Sequence, residues 1–96
     1  MKLIWTRLAM IDRRRIREYI ARDNPVAALE LDELLSQKVS RLVDYPAIGR
    51  PGRAAATREL VAHDNYIVIY DTTEAAVRVL RILHVRQKWP PQAKDQ

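Results

Sequence analysis

Ninety-six residues give enough chain for one domain with a single modest core, and 48% apolar with 30% charged residues is a globular composition, not a disordered one. The absence of cysteine excludes a disulfide framework, a thiolate metal site and a cysteine nucleophile, and it suits a reducing cytosol. A formal charge of +5 calls for an acidic partner: nucleic acid, an acidic protein segment or a membrane surface.

Lys2 to Thr6 reads as a short opening strand, because Leu3, Ile4 and Trp5 are β-compatible and Thr6 is placed to cap a helix. This apolar run is too short for a signal peptide and no stretch approaches membrane-spanning length, so the expectation is a soluble cytoplasmic protein with no membrane partner. From about Leu8 to Asp23 the period is helical. Leu8, Ile11 or Asp12, Ile16, Tyr19 and Ile20 form one stripe, while Arg13, Arg14, Arg15, Arg17 and Arg22 form a face whose commonest role is solvation. Asn24-Pro25 caps and opens a second helix running to about Asp44, with Ala28, Leu31, Leu34 or Leu35, Val39, Leu42 and Val43 inward. Tyr45-Pro46 ends it, and the two helices pack as an antiparallel hairpin.

Gly49-Arg50-Pro51-Gly52-Arg53 holds both glycines and divides a helical first half from a strand-rich second half. Glycine tolerates positive φ and Pro51 fixes its own, so the segment is a turn-rich connector. It places Arg50, Arg53 and Arg58 within nine residues, either as solvated loop charge or as an edge that binds phosphate or acid. Thr57–Ala62 and Tyr66–Tyr70 follow as strands around a His63-Asp64-Asn65 turn. Val77–Val85 is the third and most apolar strand, expected at the centre of an antiparallel meander. The fold class is therefore α+β, in the order β-α-α-β-β-β, with the helix hairpin on one face of a curved sheet. Residues 1–89 form the expected domain and residues 90–96 a loosely ordered polar tail.

Chemistry-bearing patterns are few. No HExxH pattern or carboxylate cluster has ligand spacing, and there is neither a P-loop nor a nucleophile elbow, so no metal or other cofactor is expected. His63 and His84 fall at strand ends. In the last strand, period two places Leu80, Ile82, His84 and Arg86 on one face and Val79, Arg81, Leu83 and Val85 on the other. Arg81 interrupts an apolar row, so it either pairs with an acid such as Glu59 or emerges on an open sheet face. Arg58, Arg81 and Arg86 could converge across neighbouring strands into one basic surface.

In this order, the opening strand with Trp5, Asp23-Asn24-Pro25 with Ala27-Ala28, and Tyr45-Pro46 with the glycine–arginine loop resemble the RelE/ParE superfamily of bacterial type II toxins. Thr57-Arg58-Glu59-Leu60-Val61, Tyr66-Ile67-Val68-Ile69-Tyr70 and Ile82-Leu83-His84-Val85-Arg86 carry the same resemblance, which spans Lys2 to about Trp89. It implies a growth inhibitor neutralised by a cognate acidic antitoxin, with Arg50, Arg53, Arg58 and Arg81 as target- or antitoxin-binding residues. It leaves two mechanisms: ParE-like inhibition of DNA gyrase, or RelE-like cleavage of ribosome-bound mRNA with His84 and Arg86 as catalytic groups. Ile67 stands after the strand tyrosine, where ribonuclease members usually carry an arginine, and this leans the reading slightly towards gyrase; no tyrosine follows Trp89 either. The HxxMD-like ending of some gyrase-directed members is not matched either, since Val85-Arg86-Gln87 follows His84. A basic binding module without toxicity is the remaining alternative.

Overall fold

Two side-chain caps fix where the helices begin. In the computed structural model, which describes residues 1–90, the Thr6 hydroxyl accepts the Ala9 N–H at 3.2 Å and opens α1 (Arg7–Ala21). Asn24 Oδ1 accepts the Ala27 N–H at 3.0 Å and opens α2 (Pro25–Ser40), with Pro25 where its missing N–H is no loss. Apart from Pro90, the expected polar tail lies outside the described residues.

Helix α2 ends before Asp44. Its last residues tighten into a 3-10 turn at Arg41–Val43, because Pro46 disfavours helical angles at Tyr45. Its buried stripe, Ala28, Leu31, Leu35 and Val39, follows the expected spacing. The α1 stripe is rotated from expectation: Leu8 and Tyr19 are 56% and 66% exposed, and Ala9 is wholly buried. Ile16 and Ile20 complete the packed side. A residue as small as Ala9 lets α1 approach the sheet closely, which turns Leu8 outward.

The strands are β1 (Lys2–Trp5), β2 (Arg50–Pro51), β3 (Arg58–His63), β4 (Tyr66–Thr72) and β5 (Ala76–His84). Their order is β1-β5-β4-β3-β2. Strands β3, β4 and β5 form the expected antiparallel meander, but β1 runs parallel to β5, so the sheet is mixed. The central strand is β4, not the last strand, because β1 adds outside β5 and the short β2 adds outside β3. Tyr66 to Tyr70 are accordingly all buried.

A bulge breaks the period-two reading of β5. Tyr70 stands opposite Val79 and Ile69 opposite Arg81, which leaves Leu80 without a partner in register. Beyond the bulge the faces exchange. Val79 and Ile82 both pack in the core under the helices, while Leu83 joins Ile67 and Ile69 on the other face.

Strand β1 pairs with only Ala76 to Val79 of β5, and α1 takes over the exposed edge beyond. The Thr6 N–H and hydroxyl reach the Val79 carbonyl at 3.1 and 2.8 Å. Asp12 Oδ2 accepts the Ile82 N–H at 2.9 Å, and the same carboxylate takes both Arg81 Nε at 2.8 Å and Nη2 at 3.0 Å. Arg81 is thus in an ion pair, with Asp12 and not Glu59. Glu59 lies in the same cross-strand row, but β4 stands between, about 10 Å across at the usual strand spacing.

Asp12→Ala should leave the Arg81 guanidinium unpaired and the Ile82 N–H without an acceptor, a loss of about 3 kcal/mol in urea unfolding. Asp12→Asn keeps an acceptor for Ile82 and should lose about half as much. A change below about 0.5 kcal/mol in the alanine variant would show that α1 is seated by apolar packing alone.

Candidate functional site

The loop between the helices and β3 is built on one buried carboxylate. Glu59 is 2% exposed, and among the described residues it is the one charged side chain in the buried class. Its Oε1 accepts Arg50 Nη2 and Arg53 Nη2, each at 3.2 Å, and its Oε2 accepts Arg53 Nε at 3.1 Å and the Arg53 backbone N–H at 3.0 Å. Burial alone would raise the Glu59 carboxyl. The Arg53 side chain and backbone together with Arg50 outweigh burial and hold it below the usual 4.5. The arginine side chains stay 58% and 49% exposed, so the loop shows guanidinium to solvent above a neutralised base.

Beneath the loop, the Tyr70 hydroxyl accepts the Gly49 N–H at 2.9 Å and donates to the Pro46 carbonyl at 2.8 Å. Arg58 Nη1 donates to the Gly49 carbonyl at 2.7 Å. The glycines serve closeness and not positive φ, which neither adopts. A Cβ on Gly49 would lie 2.7 Å from the Tyr70 hydroxyl and 2.9 Å from the Glu59 carbonyl, and one on Gly52 would overlap Thr57 Oγ1. Among the described residues, the one with positive φ is Ala56, at 62°.

The sheet face away from the helices has an apolar middle. Ile67, Ile69 and Leu83 are 6%, 0% and 4% exposed, and Leu80 and Trp89 pack against them. The charged positions of this face are already engaged: Glu59 by its two arginines, Arg81 by Asp12, and Arg78 by Asp71, with Arg78 Nε 2.8 Å from Asp71 Oδ1.

The two histidines meet at the far end of the strands, around Tyr66. Its ring centroid lies 6.0 Å from that of His63 and 5.4 Å from that of His84, the latter edge-on. His63 Nδ1 accepts the Asn65 N–H and His84 Nδ1 accepts the Arg86 N–H, both at 3.1 Å, so in each ring Nε2 is the nitrogen outside these bonds. Burial raises the Tyr66 hydroxyl above its usual value, with a smaller contribution from Tyr19.

The sequence-derived candidates therefore fall into separate places. Arg50, Arg53 and Arg58 share the loop; Arg81 sits at the α1 edge of β5; His84 ends that strand, with Arg86 just beyond it, at the end of the sheet away from the loop. Arg58, Arg81 and Arg86 do not form one surface. Asp12, Tyr66, Tyr70 and Trp89 went unrecognised as organising groups, although a carboxylate within the α1 stripe was a legible sign for Asp12. Among the described residues no group of His, Asp and Glu is placed to hold a metal ion, and no helix is long and apolar enough to cross a membrane.

Glu59 carries a pH prediction. Its carboxyl is depressed in the folded chain, so its contribution is fully present above about pH 4.5 and fades as the pH falls through the folded value. Glu59→Gln should cost about 2 kcal/mol at pH 7. The gap between variant and parent in urea melts should narrow as the pH falls below about 4.5. A gap of constant size would show that shape, not charge, holds the loop.

Three comparisons bear on this geometry. The family model described as ParE toxin of type II toxin-antitoxin system, parDE, matches residues 3–89. A protein described as "Putative toxin Y4kP", of Sinorhizobium fredii, is 37% identical over 89 residues, covering 93% of each chain. Toxin RelE2 of Caulobacter vibrioides is 34% identical over 83 residues, covering 86% of this chain and 93% of that one. A solved structure described as a chromosomal ParDE TA system from P. aeruginosa superposes with a TM-score of 0.79 at 27% identity, covering 88% of this chain and 96% of its counterpart. A strand, a capped helix hairpin and a sheet tied together by Asp12 and Glu59 are thus this chain's version of a shared fold, and it belongs to the ParE toxin family of type II toxin–antitoxin systems.

Proposed function

We propose that this chain is the toxin of a two-component module, held inactive by a cognate acidic antitoxin, and that it acts on DNA gyrase without cutting RNA. The observation that carries the second part is the filling of the open sheet face. Ile67, Ile69 and Leu83, with Leu80 and Trp89 against them, leave that face without the acid–base pair and free cations that RNA cleavage needs. The arginines of that face are bound to carboxylates, and His84 lies against Tyr66 on the helix-covered side. The antitoxin partner is supported by the ParDE system among the similar structures and by the net charge of +5.

Within this reading Arg50 and Arg53 are the contact residues, since each keeps outward-facing guanidinium for an acidic segment or the target. Arg58 and Arg81 are positioning residues, which hold the Gly49 carbonyl and Asp12. A ribosome-dependent endonuclease is the second reading, favoured by one observation: His63 and His84 gather on the Tyr66 ring next to Arg86, which brings imidazole and guanidinium groups together at one end of the sheet.

Expression without antitoxin separates the two. Filamentation, SOS induction and intact mRNA, with loss of supercoiling when the purified chain meets gyrase, are the expected results. Messages cut within codons, and spared by His84→Ala or Arg86→Ala, would overturn the gyrase assignment and install the nuclease one.

A further inference from the structure

The charge of this chain is unevenly placed, and most of the excess lies on α1. That helix carries Arg7, Arg13, Arg14, Arg15 and Arg17, with Arg22 as its C-cap and no lysine, against Asp12 and Glu18. Asp12 is committed to Arg81. Asp32 of α2 accepts Arg13 at 2.7 Å and Arg17 at 3.3 Å, so two guanidinium groups share one carboxylate. Arg7 and Arg14 are exposed, and among the described residues no carboxylate lies within ion-pair distance of either.

Four of these arginines line one concavity. Arg7, Arg13, Arg14 and Arg17, with Met10 and Ile11, border an open groove of about 450 Å³ along α1. Positions 7, 10, 14 and 17 follow helical spacing, so they share one side of the cylinder. Asp32 and the Trp5 ring, 4.9 Å from the Arg13 guanidinium carbon, hold the inner pair in place. Arg7 and Arg14 remain as outward charges about 10 Å apart along the axis, a span of about three phosphates on one strand of a duplex.

From this placement we infer that the α1 groove binds the sugar–phosphate backbone of duplex nucleic acid, without regard to sequence. The groove has a net excess of about three positive charges, which suits a polyanion whose affinity comes from counterion release. An acidic protein segment would draw its affinity from apolar anchors as well, for which the groove has Met10 and Ile11 only, whereas its four arginines match a regular row of phosphates. Single strands are bound largely by stacking on aromatic rings, and none lines this groove. Neither Asn nor Gln is present there to read adenine, and two of the four arginines that could read guanine are tied to Asp32, so phosphate contact is its main resource. This surface is separate from the Glu59 loop and does not depend on which target the toxin disables.

The test is fluorescence anisotropy of the purified full chain with a mixed-sequence 20-bp DNA duplex across a salt series. Three phosphate contacts predict a log–log slope of about −2.7, which is roughly 40-fold weaker binding at 200 mM than at 50 mM salt. Arg7→Gln with Arg14→Gln should flatten the slope by about two and weaken binding roughly tenfold at low salt. Neither residue has an ion-pair partner to lose, and an unchanged thermal melt confirms the fold. Lys2→Gln with Arg41→Gln removes the same charge elsewhere and should leave the slope within about half a unit of the parent. Equal weakening by the two double variants would reduce the effect to bulk charge and overturn the site. Tighter binding of a single-stranded 20-mer, or binding of a poly-glutamate peptide with no duplex binding, would overturn the duplex assignment.

Discussion

The edge of β5 beyond Val79 is the constraint from which the rest of this structure follows. Strand β1 is four residues long and covers only the first part of its neighbour. A strand edge left unpaired wastes hydrogen bonds and invites association with other chains. Here the first turns of α1 close it, with Thr6 on the Val79 carbonyl and Asp12 on the Ile82 N–H. One hydroxyl therefore both caps the helix and ends the ladder, and the position of the helix hairpin over the sheet is set by hydrogen bonds as well as by Ala9, Leu35 and Val39. Arg81 completes this join, because a carboxylate brought that close to the core needs a cation.

The bulge at Leu80 lies at the same place, and the two features are related. An extra residue in β5 exchanges the faces, so Ile82 follows Val79 into the helix-side core and Leu83 falls on the opposite side. Arg81 is then displayed opposite Ile69 at the strand that α1 borders, within reach of Asp12. Without the extra residue, strict alternation would carry Ile82 out of the core. The open face gains Leu83, which with Ile67 and Ile69 makes the floor for Trp89. A local irregularity in one strand thus links the seating of the helices to the apolar filling of the opposite sheet face.

Much of the fold was legible in the sequence. Asn24-Pro25, Tyr45-Pro46 and the apolar periods located both helices and three strands, because caps, prolines and alternation act locally. What escaped depends on non-local contacts. The parallel placement of β1 has no local signature, and a two-residue strand such as β2 has no period to detect. The rotation of the α1 stripe follows from Ala9, whose small size matters only once its neighbour is known. Arg81 was legible as a residue requiring a partner, but the choice of Asp12 over Glu59 rests on β4 standing between. The site was legible as a set of arginines and not as an arrangement. Nothing local shows that Arg50 and Arg53 share a buried carboxylate while His84 stands at the other end of the sheet.

Among the described residues, four carboxylates hold six arginines in ion pairs: Asp12, Asp32, Glu59 and Asp71. Guanidinium suits this work, since its planar fork can bind a carboxylate with two N–H groups and still present others outward. Arg81 on Asp12, Arg13 on Asp32 and Arg78 on Asp71 are all two-pronged. A lysine at those positions would offer one point of contact and less directional control. Part of the arginine-rich composition therefore serves architecture, and the net charge of +5 is the excess of 17 basic over 12 acidic residues. That remainder is displayed where carboxylates are scarce, along α1 and around the rim of the loop. The parts of this molecule free to attract an acidic partner are accordingly those its own fold has left unneutralised.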